Sequence, residues 1–186
     1  ILSGSVRLDG MQVDQDRRWA IIWQLSLLGD KNAENIRTQE LIRDRSSSGK
    51  RSAIAAEAAQ PDLDVKKKWF NEIMNEGSTQ PLADLKAAMY SLFPRGQEEI
   101  AAQFEEEFYK LLPSVAAKKS NEFLTPVASS LVPPLCSERS IKSIGNFIAS
   151  QNALPQVVIR GLQAAKDEDQ RCFKARTVAG QGMKKG

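Results

Sequence analysis

Residues 13–29, VDQDRRWAIIWQLSLLG, decide the fold class of this chain. Asp14 or Asp16 can cap a helix at its start, and Gly29 can end that helix because glycine accepts the left-handed backbone conformation. The apolar residues between them form two stripes at helical spacing, of which one contains Trp19, Ile22, Trp23 and Leu27 and the other contains Ile21, Leu25 and Leu28. Two stripes predict a helix that is covered on two sides, as in the inner layer of a stacked helical array.

The same periodicity continues to about residue 176, with glycine, proline and serine turns between the segments. We expect about nine helices of roughly 10 to 18 residues, and no strand after residue 13. Ser120 and Ser137 are expected N-caps, Pro126 is expected inside its helix, and residues 46–49 (SSSG) are expected to form a turn. The predicted fold class is therefore all-α, with HEAT- or armadillo-like stacking of antiparallel helix pairs into an α-solenoid. A compact irregular helical bundle is the alternative.

The two ends of the chain differ from this helical region. Residues 1–13 alternate roughly between apolar and polar and contain two glycines, which predicts an extended linker or a short hairpin. Residues 14–176 form the predicted helical-repeat domain. Residues 177–186 contain three glycines and two lysines and are predicted to be a disordered tail. The chain opens with Ile1 instead of a methionine, so we expect that the natural N-terminus is missing.

The absence of histidine limits the chemistry that this chain can carry. Neither a His-Glu-x-x-His zinc site nor a Ser-His-Asp or Cys-His catalytic pair can be built from it. The glutamates at 98–99 and 105–107 lie opposite an apolar helix face and are interpreted as a solvated surface. We therefore expect no catalytic, metal-binding or cofactor-binding residue in this chain.

Charge and cysteine content narrow the expected partners and location. The net charge of +3 comes from interspersed basic and acidic residues, so nucleic-acid binding is not expected. No apolar run reaches the roughly 18 to 20 residues that a membrane span needs. Cys136 and Cys172 have no partner at metal-ligand spacing and are interpreted as packed thiols in a reduced compartment. The expected location is the cytoplasm.

Several stretches, taken in order, resemble one known family. The segment 13–19 (VDQDRRW) is similar to an Asp-x-x-x-Arg-Trp helix entry, and the segment 93–99 (FPRGQEE) is similar to a Gly-Gln-Glu turn that precedes an aromatic helix. The segments 152–160 and 167–176 resemble the closing helix of the same domain. This is the C-terminal domain named after the endoplasmic reticulum aminopeptidases, which belongs to the aminopeptidase N family of zinc metallopeptidases. The match spans about residues 1 to 176.

The resemblance implies that the chain is the later part of a larger helical domain in a bacterial zinc aminopeptidase. The intact enzyme would remove amino acids one at a time from peptide N-termini, with zinc held by a His-Glu-x-x-His motif in a separate catalytic domain. The helical domain would enclose the active-site cavity and limit access to short or unfolded peptides. The implied partners are the catalytic domain of the same polypeptide and peptide substrates.

Four residues are candidates for a peptide-facing lining, namely Arg95, Gln97 and Glu98 of the polar turn and Arg160 of the last helix. A guanidinium that faces the cavity could hold a peptide carboxylate through two parallel hydrogen bonds. The alternative interpretation is that these are ordinary surface residues.

Two other hypotheses concern the chain as a whole. One is a free-standing helical-repeat scaffold that binds a protein or peptide partner through its concave face. The other is a nucleic-acid-binding helical repeat, which requires a basic stripe along one edge. The mixed charges disfavour the second.

Overall fold

The structure, a computed structural model, describes Leu2 and residues 13–182, with side chains up to residue 179. This part of the chain contains ten α-helices and one 3-10 turn, and no strand. The helices are α1 (Gln15–Leu27), α2 (Ala33–Arg43), α3 (Ser47–Ala58), α4 (Leu63–Met74), α5 (Leu82–Met89), α6 (Glu98–Ala101), α7 (Glu105–Lys118), α8 (Asn121–Ser130), α9 (Glu138–Ser150) and α10 (Gln156–Gly182); the 3-10 turn (Ala102–Phe104) joins α6 to α7. The all-α prediction is confirmed.

The helices alternate between two layers. In one layer α1, α3, α5, α8 and α10 form a continuous row in which each helix packs against the next. In the other layer, α2 packs on α1 and α3, α4 packs on α3 and α5, and α9 packs on α10. This alternation is that of an all-α helical-repeat fold, as predicted. The HEAT or armadillo subtype remains a prediction.

Local capping chemistry fixes most helix starts as expected. The Asp14 carboxylate accepts a hydrogen bond from the backbone N–H of Arg17 at 2.9 Å, and Ser137 Oγ accepts one from Ser140 N–H at 3.1 Å. Gly29 ends α1 with φ +69°, the left-handed conformation predicted for it. Ser120 occupies the N-cap position of α8 without a side-chain hydrogen bond. A side-chain cap contributes about 1 kcal/mol to a helix.

Two helix boundaries differ from the prediction. Residues 46–49 are not a separate turn, because Ser46 Oγ accepts a hydrogen bond from Gly49 N–H at 3.0 Å and caps α3, whose first turn therefore contains Gly49. A Cβ at Gly49 would lie 2.4 Å from the carbonyl oxygen of Asp44, so only glycine allows this approach. The glutamates at 98–99 and 105–107, which were expected on one helix, lie on two helices, because the 3-10 turn separates α6 from α7. Pro126 lies within α8, as predicted.

The predicted ends of the domain are partly corrected. α10 continues to Gly182, six residues beyond its expected end at Arg176, so residues 177–182 are helical and not a disordered tail. Positions 183–186 lie outside the described residues. The linker or hairpin predicted for residues 1–13 also lies outside them, except for Leu2 and Val13.

The main hydrophobic core lies between the layers from α4 to α10. Three phenylalanines meet at its centre: the ring centroids of Phe70 and Phe104 are 5.1 Å apart, and those of Phe93 and Phe104 are 5.2 Å apart. Burying one such side chain contributes about 1.5 to 3 kcal/mol. A smaller cluster between α1 and α3 contains Trp19 and Ile22. The turn at residues 93–98 is therefore attached to the centre of the domain through Phe93.

The interpretation of the two cysteines as free thiols is wrong. Cys136 and Cys172 form a disulfide, with their Cα atoms 5.4 Å apart. They are 36 residues apart in sequence, and α9 and α10 run antiparallel, so that the residues just before α9 lie beside the middle of α10. Cysteine spacing alone does not reveal this pairing, because it depends on how the last two helices pack.

Candidate functional site

The Asp-x-x-x-Arg-Trp stretch connects α1 to α2. Arg18 Nε donates to Glu40 Oε1 at 2.9 Å, and Trp19 Nε1 donates to Asp44 Oδ2 at 2.8 Å. The Glu40 side chain is only 3% exposed. Its hydrogen bonds with Arg18 lower the pKa of Glu40 against the opposing effect of burial. This stretch therefore stabilises the fold at its N-terminal end.

Gln97 holds the polar turn against the helix ends beside it. Its amide nitrogen donates to the carbonyl oxygen of Ala59 at 2.9 Å and to that of Leu27 at 3.3 Å, at the ends of α3 and α1. The residue is 8% exposed. Gly96, at φ +92°, gives the chain the turn that aims Gln97 inward. Among the four candidate residues, Gln97 is therefore buried by contacts within the domain.

Arg95 and Glu98, on either side of Gln97, both reach α10. Arg95 Nη2 lies 3.1 Å from Glu168 Oε2, and both side chains are 54% exposed. Glu98 Oε1 accepts a hydrogen bond from Arg176 Nη2 at 2.6 Å. Burial raises the pKa of Glu98, but its own backbone N–H, the Arg176 guanidinium and the Gly96 N–H together lower it below its usual value. Glu98 is therefore ionised and held in an ion pair.

Arg160 lies apart from this turn. It is exposed on α10, two helical turns before Glu168, or about 12 Å along the helix axis. Among the described residues it has no ion-pair partner. The structure thus brings Arg95 and Glu98 together against α10 and leaves Arg160 as a separate cation on that helix.

A cleft of about 290 Å³ opens beside Arg95. It lies between the end of α5, the segment 131–134 and the middle of α10, and its lining includes Tyr90, Arg95, Val132, Pro134, Glu168 and Asp169. The Tyr90 side chain is largely exposed at its edge. We call this the Arg95 cleft. Sequence reasoning did not find it, because its walls come from three distant segments.

The Arg95 cleft has a buried acidic residue in its wall. Asp169 is 3% exposed and accepts a hydrogen bond from Ser140 Oγ across the contact between α9 and α10. Burial, together with the negative charges of Glu105 and Asp169, raises the pKa of nearby Tyr109. One sequence signal could have identified Asp169: it continues the apolar helical spacing Val158, Leu162, Ala165. A carboxylate on an apolar stripe indicates a buried hydrogen-bond partner.

Across Leu2 and residues 13–182, no group of three or more histidine, cysteine, aspartate or glutamate side chains is arranged to hold a metal ion. Within the same part of the chain, no helix combines the length and the apolar character needed to cross a membrane.

Fold and sequence together define an all-α helical-repeat domain. The chain belongs to the family of ERAP1-like C-terminal domains, whose model matches residues 3–171. Aminopeptidase N of Streptomyces lividans is 28% identical to this chain over 163 residues, which are 87% of this chain and 19% of that protein. The chain thus spans about a fifth of the length of this relative. The resemblance inferred from the sequence is confirmed at the level of the family.

Proposed function

We propose that this chain is the non-catalytic C-terminal domain of a zinc aminopeptidase, and that it encloses the active-site cavity and controls the access of peptides. The observation that carries the proposal is the family match over residues 3–171, together with the likeness to an aminopeptidase. The row of five helices supports it physically, because stacked helices offer an extended wall that can cover a cavity and exclude large proteins.

The zinc ion is assigned to the catalytic domain of the same polypeptide. The chain contains no histidine, so the ligand set expected for such a zinc ion does not fit the residues present here. Bound in the catalytic domain, zinc supplies an activated water for hydrolysis of the peptide bond. The contribution of this chain is confined to positioning and access.

Arg95 is the residue best placed to meet a peptide. Its ion pair with Glu168 is half exposed, so water already competes for both groups, and a peptide carboxylate can replace Glu168 as the partner. A carboxylate bound bidentately by a guanidinium forms one of the stronger charge-assisted contacts in proteins. Arg160 is a second candidate, while Glu98 would first have to release Arg176.

The prediction of a cytoplasmic location relied in part on two free thiols, and the disulfide removes that argument. Disulfides persist in oxidising compartments and are uncommon in reducing ones. The bond between Cys136 and Cys172 therefore favours an oxidising compartment for this chain, or a cytoplasm in which the bond is controlled.

The test uses the complete polypeptide that contains this chain. We expect it to hydrolyse a chromogenic aminoacyl substrate, and we expect Arg95→Ala to leave that activity unchanged while raising KM for peptides of about ten residues roughly threefold to tenfold, the loss of one charge-assisted contact. Arg45→Ala is the matched control, because Arg45 is also exposed and contacts only a carbonyl oxygen of its own segment. A polypeptide without aminopeptidase activity, or without a His-Glu-x-x-His motif outside this chain, would overturn the proposal.

A further inference from the structure

We propose that the Cys136–Cys172 disulfide is a redox-controlled latch on the Arg95 cleft, which reduction by a dithiol opens. The latch itself stands on the geometry of this chain. Its consequence for peptide binding rests on the proposed function, since it regulates the same cleft.

The disulfide links two walls of the cleft, the 131–137 segment and α10. Residues 131–137 connect α8 to α9, and Val132, Pro133 and Pro134 of this segment line the cleft. At its start the segment is fixed by helix packing, because α8 and α10 touch so closely that a Cβ at Gly161 would lie 2.5 Å from the Cβ of Ala128. At its end the segment is fixed to α10 by the disulfide.

The opposite wall carries the other cysteine. Cys172 lies on α10 one turn beyond Glu168, which lines the cleft and pairs with Arg95. One covalent bond therefore links the end of the 131–137 segment to the part of α10 that bears the partner of Arg95.

Breaking the disulfide leaves both ends of the segment attached: Leu131, Val132 and Pro133 stay buried in the core, and Ser140 Oγ donates to the carbonyl oxygen of Ser137 and to Asp169. Between these attachments, Pro134 and Leu135 are only partly buried, and the disulfide is the covalent link of residues 134–136 to α10.

The backbone conformation of Cys136 favours movement of this segment once the disulfide is broken. Cys136 has φ +52°, a left-handed conformation that residues other than glycine, asparagine and aspartate rarely adopt. The disulfide constrains the residue in that conformation. Without the bond, Cys136 is free to return to an ordinary φ, and that rotation displaces the partly buried Pro134 and Leu135, of which Pro134 lines the cleft.

The chemistry is an ordinary thiol–disulfide exchange with a dithiol as reductant. Cys136 is buried and Cys172 is partly exposed, so a thiolate of the dithiol attacks Cys172 Sγ. A mixed disulfide forms there, the Cys136–Cys172 bond breaks, and its electron pair leaves on Cys136 Sγ. The second thiol of the reductant then attacks the mixed disulfide and releases Cys172, so that the dithiol becomes a disulfide and both cysteines end as thiols. The released Cys136 thiolate lies at the start of the 13-residue helix α9, whose dipole favours an anion.

Hydrogen–deuterium exchange of the complete polypeptide tests the latch. Samples are compared in the oxidised state, after treatment with dithiothreitol, and as the double variant Cys136→Ser/Cys172→Ser, and peptide mapping confirms the state of the two sulfurs. We expect amide exchange in the 131–137 segment, to which Pro133 and Pro134 do not contribute, to rise about tenfold in the reduced sample and in the double variant, while α3 and α5 stay unchanged. Ser140→Ala is the control, because it removes the side-chain hydrogen bonds of Ser140 with Asp169 and Ser137 and keeps the disulfide. Its residues 131–136 should exchange as slowly as those of the wild type in the oxidised state.

Three results would overturn the latch: unchanged exchange in residues 131–137, an increase spread over the whole domain, or opening of the oxidised Ser140→Ala variant. Peptide hydrolysis is measured on the same samples. We expect reduction to change KM for peptides of about ten residues at least threefold and to leave the chromogenic aminoacyl substrate unaffected. Local opening without a change in KM would overturn the regulatory role while leaving the aminopeptidase assignment intact.

Discussion

The ammonium nitrogen of Lys66 lies 2.7 Å from the carbonyl oxygen of Ala58, and the Lys66 side chain is wholly buried. This hydrogen bond satisfies a carbonyl at the end of α3. Burial lowers the pKa of Lys66 to about 7, because no carboxylate offsets the loss of hydration. In the unfolded chain the same group titrates near its ordinary value of 10.5.

The stability of the protein should therefore rise between pH 7 and pH 10. In this window the unfolded state binds more protons at Lys66 than the folded state, so the free energy of unfolding increases with pH. Below pH 7 Lys66 is protonated in both the folded and the unfolded state, so its contribution to the free energy of unfolding no longer changes with pH. Lys66→Met removes the titration, and we expect its urea-unfolding free energy to lack this rise, which is on the order of 1 to 3 kcal/mol. Lys67→Met, at the exposed neighbouring position, should keep it; equal pH profiles for the two variants would contradict the assignment.

The contacts of Gln97 predict a stability effect without a direct role in peptide binding. Gln97→Ala leaves the carbonyl oxygens of Ala59 and Leu27 without their amide donor, and we expect a loss of about 1 to 3 kcal/mol in unfolding free energy. Urea denaturation followed by circular dichroism measures it. Gln103→Ala, in the exposed 3-10 turn, is the control and should change stability by less than about 0.5 kcal/mol. Equal effects of the two substitutions would show that Gln97 does not hold the helix ends.

The buried pair of Arg18 and Glu40 should respond to mutation and to acid. Arg18→Ala leaves Glu40 buried without its cation, and we expect a loss of about 3 kcal/mol. Replacing both, as Arg18→Met/Glu40→Leu, should recover part of that loss because no unpaired charge remains.

The pH dependence of this pair follows from the lowered pKa of Glu40. Its contribution to stability is fully present above the unfolded value of 4.5 and is lost as the pH falls through the lower folded value. Between pH 7 and pH 3, the midpoint temperature of thermal unfolding should therefore fall more steeply for the wild type than for the double variant. Parallel curves would argue against the pair.

Two glycines in the last helices should respond oppositely to alanine. At Gly161 an added Cβ would lie 2.5 Å from Ala128 Cβ and 2.8 Å from its backbone, so Gly161→Ala should cost about 1 to 3 kcal/mol. At Gly145 the nearest atom is the flexible Nζ of Lys166 at 3.3 Å, so Gly145→Ala should be neutral or stabilise by up to about 1 kcal/mol through helix propensity. The midpoint of thermal unfolding distinguishes them, and a tolerated Gly161→Ala would refute the close contact of α8 with α10.

The features that could be predicted from the sequence are those fixed within a few residues. Asp14, Gly29 and Ser137 act through the turn in which they stand, and apolar spacing identified the helices because it records one buried face at a time. The resemblance to the family could also be recognised from the sequence, because it depends on the order of such local segments along the chain.

The features that could not be predicted depend on which helices pack together. Nothing near Gln97 shows that the ends of α1 and α3 supply its acceptors. The disulfide was missed for the same reason, although Cys172 continues the apolar spacing of α10 after Asp169. The Arg95 cleft combines three segments, so its shape follows only from the tertiary structure.

Gln97 and Glu98 are adjacent in the chain, and their contacts reach opposite ends of the helix row. The first binds α1 and α3, and the second binds α10. This dipeptide therefore links the first two helices of the row to the last one, and α10 cannot move away from α1 and α3 without breaking one of these contacts or distorting the 96–98 turn.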